Sequence, residues 1–149
     1  MAKAFRDQVL DLSVSNQFSR KLINSGRLSV PFKLKGLELD NEYRDDPMLG
    51  SIYVDFPILD RKGRQLFLTD VIANSYNLLS FSKIKIDFSF NLNIISVGEE
   101  NNEDFDFLDF EGKGLERYRA DLNYLIRPDG YIVGIFNDIN IRALEKCML

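Results

Sequence analysis

Histidine is absent from this 149-residue sequence, and cysteine occurs once, as Cys147. Without histidine there is no Ser-His-Asp triad, no imidazole general base and no histidine-bearing metal site. A single cysteine rules out an intrachain disulfide, a CxxC redox pair and a cysteine-rich zinc site, and it fits a reducing cytoplasm. No apolar run approaches the roughly 20 residues that span a bilayer. The opening MAKAFRDQVLDLSVS carries early charges and no uninterrupted apolar stretch, so it does not read as a secretory signal. A basic stripe is also missing. Net charge is −4 and the pI is about 4.9, which argues against nucleic acid as a partner. Carboxylates, Lys, Arg, Tyr and hydroxyls remain for chemistry. The expectation is a cytoplasmic chain that is not an enzyme on its own.

What is present suffices for a core. Hydrophobic residues make up 45% of the chain, with twelve Phe and six Tyr, at a length suited to one domain with an appended segment. Leu10, Val14, Phe18 and Leu22 recur at helical spacing beside Phe5 and Val9, and Gly26 follows as a left-handed cap. This predicts an N-terminal helix over 1–26. Residues 27–50 show no sustained period and contain Pro31, Gly36, Pro47 and Gly50, so they read as an extended linker. Residues 51–149 form the domain proper.

Within that domain, SIYVDFPILD reads as a strand and Gly63 marks a turn. QLFLTDVIANS joins a short strand to a helical turn capped by Thr69 or Asp70. The apolar runs 76–82 and 92–98 read as buried strands. IKIDFSF (84–90) reads as an edge strand or a loop. LERYRADL reads as a short helix, followed by a hairpin over 122–136. DINIRALEKCML closes the chain as an amphipathic helix, with Asp138 as N-cap and Ile141, Leu144 and Met148 on its inner face. The expected fold class is α/β: a thioredoxin-like mixed sheet flanked by helices.

The hairpin turn is Arg127-Pro128-Asp129-Gly130. Proline at the second position suits the φ of a type I turn, and Gly130 supplies the left-handed residue that a three-residue loop requires. The turn is structural. NYLIRPDGYIVGI around it resembles the hairpin near the end of FAD-dependent aromatic-ring hydroxylases of the phenol hydroxylase and 3-(3-hydroxyphenyl)propionate hydroxylase kind. YRDDPMLGSIYVDFPILDRKGRQLFLTDVI (43–72) is similar to that family's entry into its C-terminal domain. AKAFRDQVLDLS resembles the last helix of the flavin domain. The resemblance implies a thioredoxin-like accessory and dimerisation domain. Asp46 stands where the family usually has Ser, Val54-Asp55 replaces Ala-Pro, and Gly134-Ile135 replaces a small residue and Trp.

The flavin fingerprint GxGxxG is missing, and the nearest glycine pair, Gly112 and Gly114, follows an acidic run that would repel phosphate. The expectation is therefore no cofactor in this chain, FAD entering only with a separate flavin domain. The expected partners are a second copy or a flavin-domain protein, with neither nucleic acid nor membrane. The chain could instead be part of a split FAD-dependent monooxygenase.

A thiol redox enzyme ranks third. Thioredoxin-type enzymes place their thiol after the first buried strand, here SFSKIKID, and a thiolate at Cys147 is disfavoured by the helix C-terminus. The acidic residues from Glu99 to Glu111 lack the glycine and spacing of a calcium loop. RKGR at 61–64 is too small for a nucleic-acid patch. No catalytic, cofactor-binding or metal residue is assigned.

Overall fold

The computed structural model describes residues 32–37, 43–84, 91–100 and 103–148. The expected N-terminal helix and residues 85–90 lie outside them. The chain divides into two compact units, Met1–Phe32 and Lys33–Leu149. Among the described residues the second carries a seven-stranded sheet, with elements β1 (Pro57–Asp60), β2 (Gln65–Phe67), α1 (Leu68–Val71), β3 (Tyr76–Ser80), β4 (Leu92–Gly98), β5 (Phe107–Leu108), β6 (Asn123–Ile126), β7 (Ile132–Phe136) and α2 (Ile141–Met148).

Strand order is β2-β1-β5-β4-β3-β6-β7. β3 lies parallel to β4 and antiparallel to β6, and β6 and β7 form the antiparallel hairpin. A central parallel pair followed by a hairpin and a closing helix makes the fold thioredoxin-like α/β. No helix among the described residues is long and apolar enough to cross a membrane.

The apolar runs explain the burial. Side chains alternate across a sheet, so a strand covered on both faces needs apolar residues at successive positions. Leu79, Ile95, Tyr124 and Ile135 join Phe56, Ile58 and Tyr118 on one face. Leu78, Leu125, Val133 and Phe136 meet Leu144 of α2 on the other. Phe56, Phe81, Tyr118 and Tyr124 form a chain of rings with centroids 5.0–6.0 Å apart, contacts worth about 0.5–1.5 kcal/mol each beyond burial. Two asparagine amides tie the strand starts together. Asn93 donates to Asn77 Oδ1 at 2.8 Å, and Asn77 donates to Ala73 O and Ser75 O.

The second compact unit begins at Lys33, with Leu49 buried in its core and Leu34 N–H donating to Gly50 O at 2.8 Å. Several element boundaries differ from expectation, each for a visible reason. Residues 51–56 precede β1 instead of extending it, because the chain there bonds β7, with Ile132 N–H donating to Ser51 O at 2.9 Å. LERYRADL is a run of turns. Arg119 N–H, which a helix would direct to Leu115 O, donates instead to Tyr124 Oη at 2.9 Å. The cap of α2 is Asn140, whose Oδ1 accepts Arg142 N–H at 2.9 Å, and not Asp138. Ile141 consequently faces solvent, while Ala143, Leu144, Cys147 and Met148 pack inward.

Candidate functional site

The hairpin end is assembled from three segments. Gly130 N–H donates to Arg127 O at 2.9 Å and Arg127 N–H to Tyr131 O at 2.9 Å, closing the turn, and Gly130 takes φ +87°. Tyr53 lies over it. Its N–H donates to Gly130 O at 2.9 Å, and a Cβ built on Gly130 would sit 3.3 Å from the Tyr53 ring. Tyr53 Oη meets Thr69 Oγ1 at 2.8 Å, and Thr69 N–H donates to Asp55 Oδ1 at 3.0 Å, so Asp55 caps the turn of α1 from across the surface. Asp70 accepts Phe67 N–H at 2.8 Å.

Arg127 pairs with Asp129 across the turn, Nε donating to Oδ1 at 3.2 Å and Nη2 to Oδ2. Hydrogen bonding between the two raises the Arg127 pKa and lowers that of Asp129. Both side chains are well exposed, 39% and 44%, so the pair adds little stability. The exposed Ile52 bridges to Tyr131 beside it.

A second cluster of polar side chains lies at the end of β3. Ser80 is fully buried, and its Oγ accepts Ser82 N–H at 3.1 Å. Phe81 enters the aromatic chain, and Lys83 pairs with Asp104. The residues following the strand thus carry hydroxyls and an ammonium but no thiol. Cys147 sits half-buried on α2, against the layer containing Leu78 and Leu125. Asn123, opposite Ser80 in the register, donates to Phe136 O and Asn137 O, while its Oδ1 is buried without a hydrogen-bond partner.

The acidic residues turn to separate partners. Asp106 accepts from Ser96 Oγ at 2.7 Å and from Arg61 at 3.1 Å, Asp104 pairs with Lys83, and Asp109 accepts Leu115 N–H at 3.0 Å. Among the described residues no three acidic or cysteine side chains gather to hold a metal. Of the glycine pair, Gly114 has a packing role, since a Cβ there would lie 2.6 Å from the Phe56 ring and 2.8 Å from Asp109 Oδ2, while Gly112 takes φ +67° with open space around it.

Sequence reasoning missed Tyr118, a tightly bonded side chain of this unit. Its Oη donates to Val54 O and accepts Val54 N–H, both at 2.7 Å, and burial pushes its pKa up. An aromatic residue in an apparent helix gives no signal of such a role.

No family model and no curated protein sequence matches the chain. Among solved structures it is similar to aklavinone-11 hydroxylase in a ternary complex with FAD and aklavinone, at 17% identity and a TM-score of 0.56, over 80% of this chain and 26% of that one. Looser similarities reach the flavin-dependent monooxygenase PieE, at 16% identity, TM-score 0.46, 60% of this chain and 17% of that one. They also reach the exposed lipoprotein thioredoxin of Streptococcus pneumoniae, at 14% identity, TM-score 0.42, 64% of this chain and 98% of that one. The likeness to aklavinone-11 hydroxylase is one of fold, and the chain spans about a quarter of that protein's length.

Proposed function

We propose that this chain is a non-catalytic thioredoxin-like module that acts through protein contact, as an accessory and association domain of the kind carried by FAD-dependent aromatic hydroxylases. The observation that carries this is the end of β3: Ser80, Phe81, Ser82 and Lys83 occupy the place where a thioredoxin-type redox enzyme needs its thiol, while Cys147 lies on the last helix. The fold likeness to one quarter of aklavinone-11 hydroxylase supports the hydroxylase side of the reading. So does the hairpin NYLIRPDGYIVGI, which resembles that of the family. The partner is a second copy of the chain or a protein carrying a flavin domain, in the cytoplasm.

Mass measurement by light scattering, together with the absorbance spectrum of the purified chain, tests this. The expected result is a colourless protein without NAD(P)H oxidase activity that associates with itself or with a flavin-domain chain. Flavin bands retained through gel filtration would overturn it. The same likeness supports a second reading, in which the chain is one part of a split FAD-dependent monooxygenase. A neighbouring reading frame for a GxGxxG flavin domain, and hydroxylation only when the two chains are mixed, would select that reading.

A further inference from the structure

β4 runs for seven residues, Leu92–Gly98, but its outer neighbour β5 has only two and pairs with Val97 and Gly98 alone. In a strand the N–H and C=O of one residue point to the same side, and successive residues alternate. Ser96 O accepts Asp106 N–H at 3.1 Å and Gly98 O accepts Asp109 N–H at 2.9 Å, so the even-numbered residues of β4 face β5. The register with β3 is unbroken from Tyr76↔Leu92 to Ser80↔Ser96. Ile94 therefore directs both backbone groups outward as well. Among the described residues nothing bonds them. The line of β5 stops at Asp106, where Arg61 holds the carbonyls of Phe105 and Glu103 at 3.1 and 3.4 Å.

This break in the sheet opens into a cleft of about 380 Å³. Val71, Ile95 and Phe107 give it apolar walls, and Lys62 is among the residues lining it. Its two carboxylates are already engaged. Asp60 accepts from the backbone of Lys62 and Arg64 and from the Arg64 guanidinium, and Asp106 from Arg61 and Ser96. Lys62 has no ion-pair partner among the described residues. Among the described residues nothing pairs with the outer side of Leu92–Ile95, and at about 3.3 Å per residue this edge is on the order of 13 Å long.

We propose that this gap is a strand-addition site for an extended peptide segment of a partner protein that carries a carboxylate. The segment's backbone pairs with Ile94 and continues the line of β5. One apolar side chain rests against Val71 and Phe107, and the carboxylate meets Lys62. The inference is independent of the hydroxylase-like reading, since it rests on strand register and charge alone.

Residue-resolved amide exchange of the full chain, with acetyl-Val-Glu-Val-Thr-amide as probe, tests it. Without peptide, Ile94 N–H is expected to exchange at least about tenfold faster than Ile95 N–H, which points to β3. Saturating peptide should slow Ile94 about tenfold and leave Ile95 unchanged. Lys62→Glu should remove that slowing without altering Ile95, whose protection reports an intact sheet. Three results would each overturn the proposal: Ile94 as protected as Ile95 without peptide, which would mean the edge is already filled; no slowing at saturating peptide; or equal slowing by a fully N-methylated peptide, which cannot donate to a strand edge.

Discussion

Tyr118 Oη meets both backbone polar groups of Val54, accepting from N–H and donating to C=O at 2.7 Å each. One hydroxyl thereby satisfies a stretch of chain that has not yet entered β1, and it fixes the segment over Phe56 and the aromatic chain. Tyr118→Phe keeps the ring and removes both bonds. It is expected to cost about 1–3 kcal/mol, because the Val54 backbone groups lose their partner beside the buried aromatic chain. Urea unfolding of the two proteins at neutral pH checks this.

The same tyrosine makes stability depend on alkaline pH. Burial raises its pKa in the folded protein above the ordinary value of about 10. A group raised on folding contributes stability that is fully present below its unfolded pKa and is lost as pH rises above that value toward the folded one. Stability should therefore fall above about pH 10, and Tyr118→Phe should flatten that fall. Tyr124, also raised by burial, leaves a residual slope. Equal pH slopes in the two proteins would remove Tyr118 as the cause.

Gly134 permits the fold of Phe136. The β6–β7 register shifts between Leu125 and Ile126, leaving Val133 as the extra residue of a bulge and setting Gly134 opposite Leu125. A Cβ on Gly134 would lie 2.5 Å from the Phe136 ring, so glycine is what lets that ring lie over the strand. Gly134→Ala is expected to destabilise by about 1–3 kcal/mol. Phe136→Leu in the same chain should recover part of the loss, so the two changes will not add. Additive melting shifts would mean that the ring moves aside freely.

Cys147→Ser tests the view of this thiol as a packing residue. Cys147 is half-buried beside the cluster around Leu144, so the change should cost less than about 1 kcal/mol and leave any self-association intact. A dimer lost with Cys147→Ser would place α2 in the contact instead.

Strands with long apolar runs were legible because burial on both faces demands them. LNIISVG is β4 to the residue, and the run 76–82 contains β3, which ends at Ser80, two residues before the run does. Elements whose backbone bonds are taken by distant side chains were not legible. LERYRADL has a helical composition, yet Asp109 claims Leu115 N–H and Tyr124 claims Arg119 N–H. Asp138 and Asn140 are equivalent as caps in sequence, and only the path out of β7 selects Asn140. The edge at Ile94, unpaired among the described residues, depends on the short span of β5 and on pairing phase, neither of which composition encodes. The hairpin turn lay at the other extreme, since proline and glycine each demand one backbone conformation.

That turn gives the last test. Gly130 has φ +87°, and the Tyr53 ring closes over it, so Gly130→Val forces a β-branched residue into the left-handed region against an aromatic wall. The expected cost is on the order of 1–2 kcal/mol. Arg127, at the start of the same turn, presents a contrast. Its guanidinium meets Asp129 in the open, so Arg127→Ala should cost less than about 1 kcal/mol, and that little should shrink further in salt. Thermal melts of both variants at two protein concentrations separate a turn effect from an association effect. A loss with Arg127→Ala that deepens on dilution would make the hairpin end, with Ile52 and Tyr131 beside it, the surface on which two copies meet. A Gly130→Val protein as stable as the parent would mean that the loop relaxes into another turn type, and Tyr53 would then have to leave its place over it.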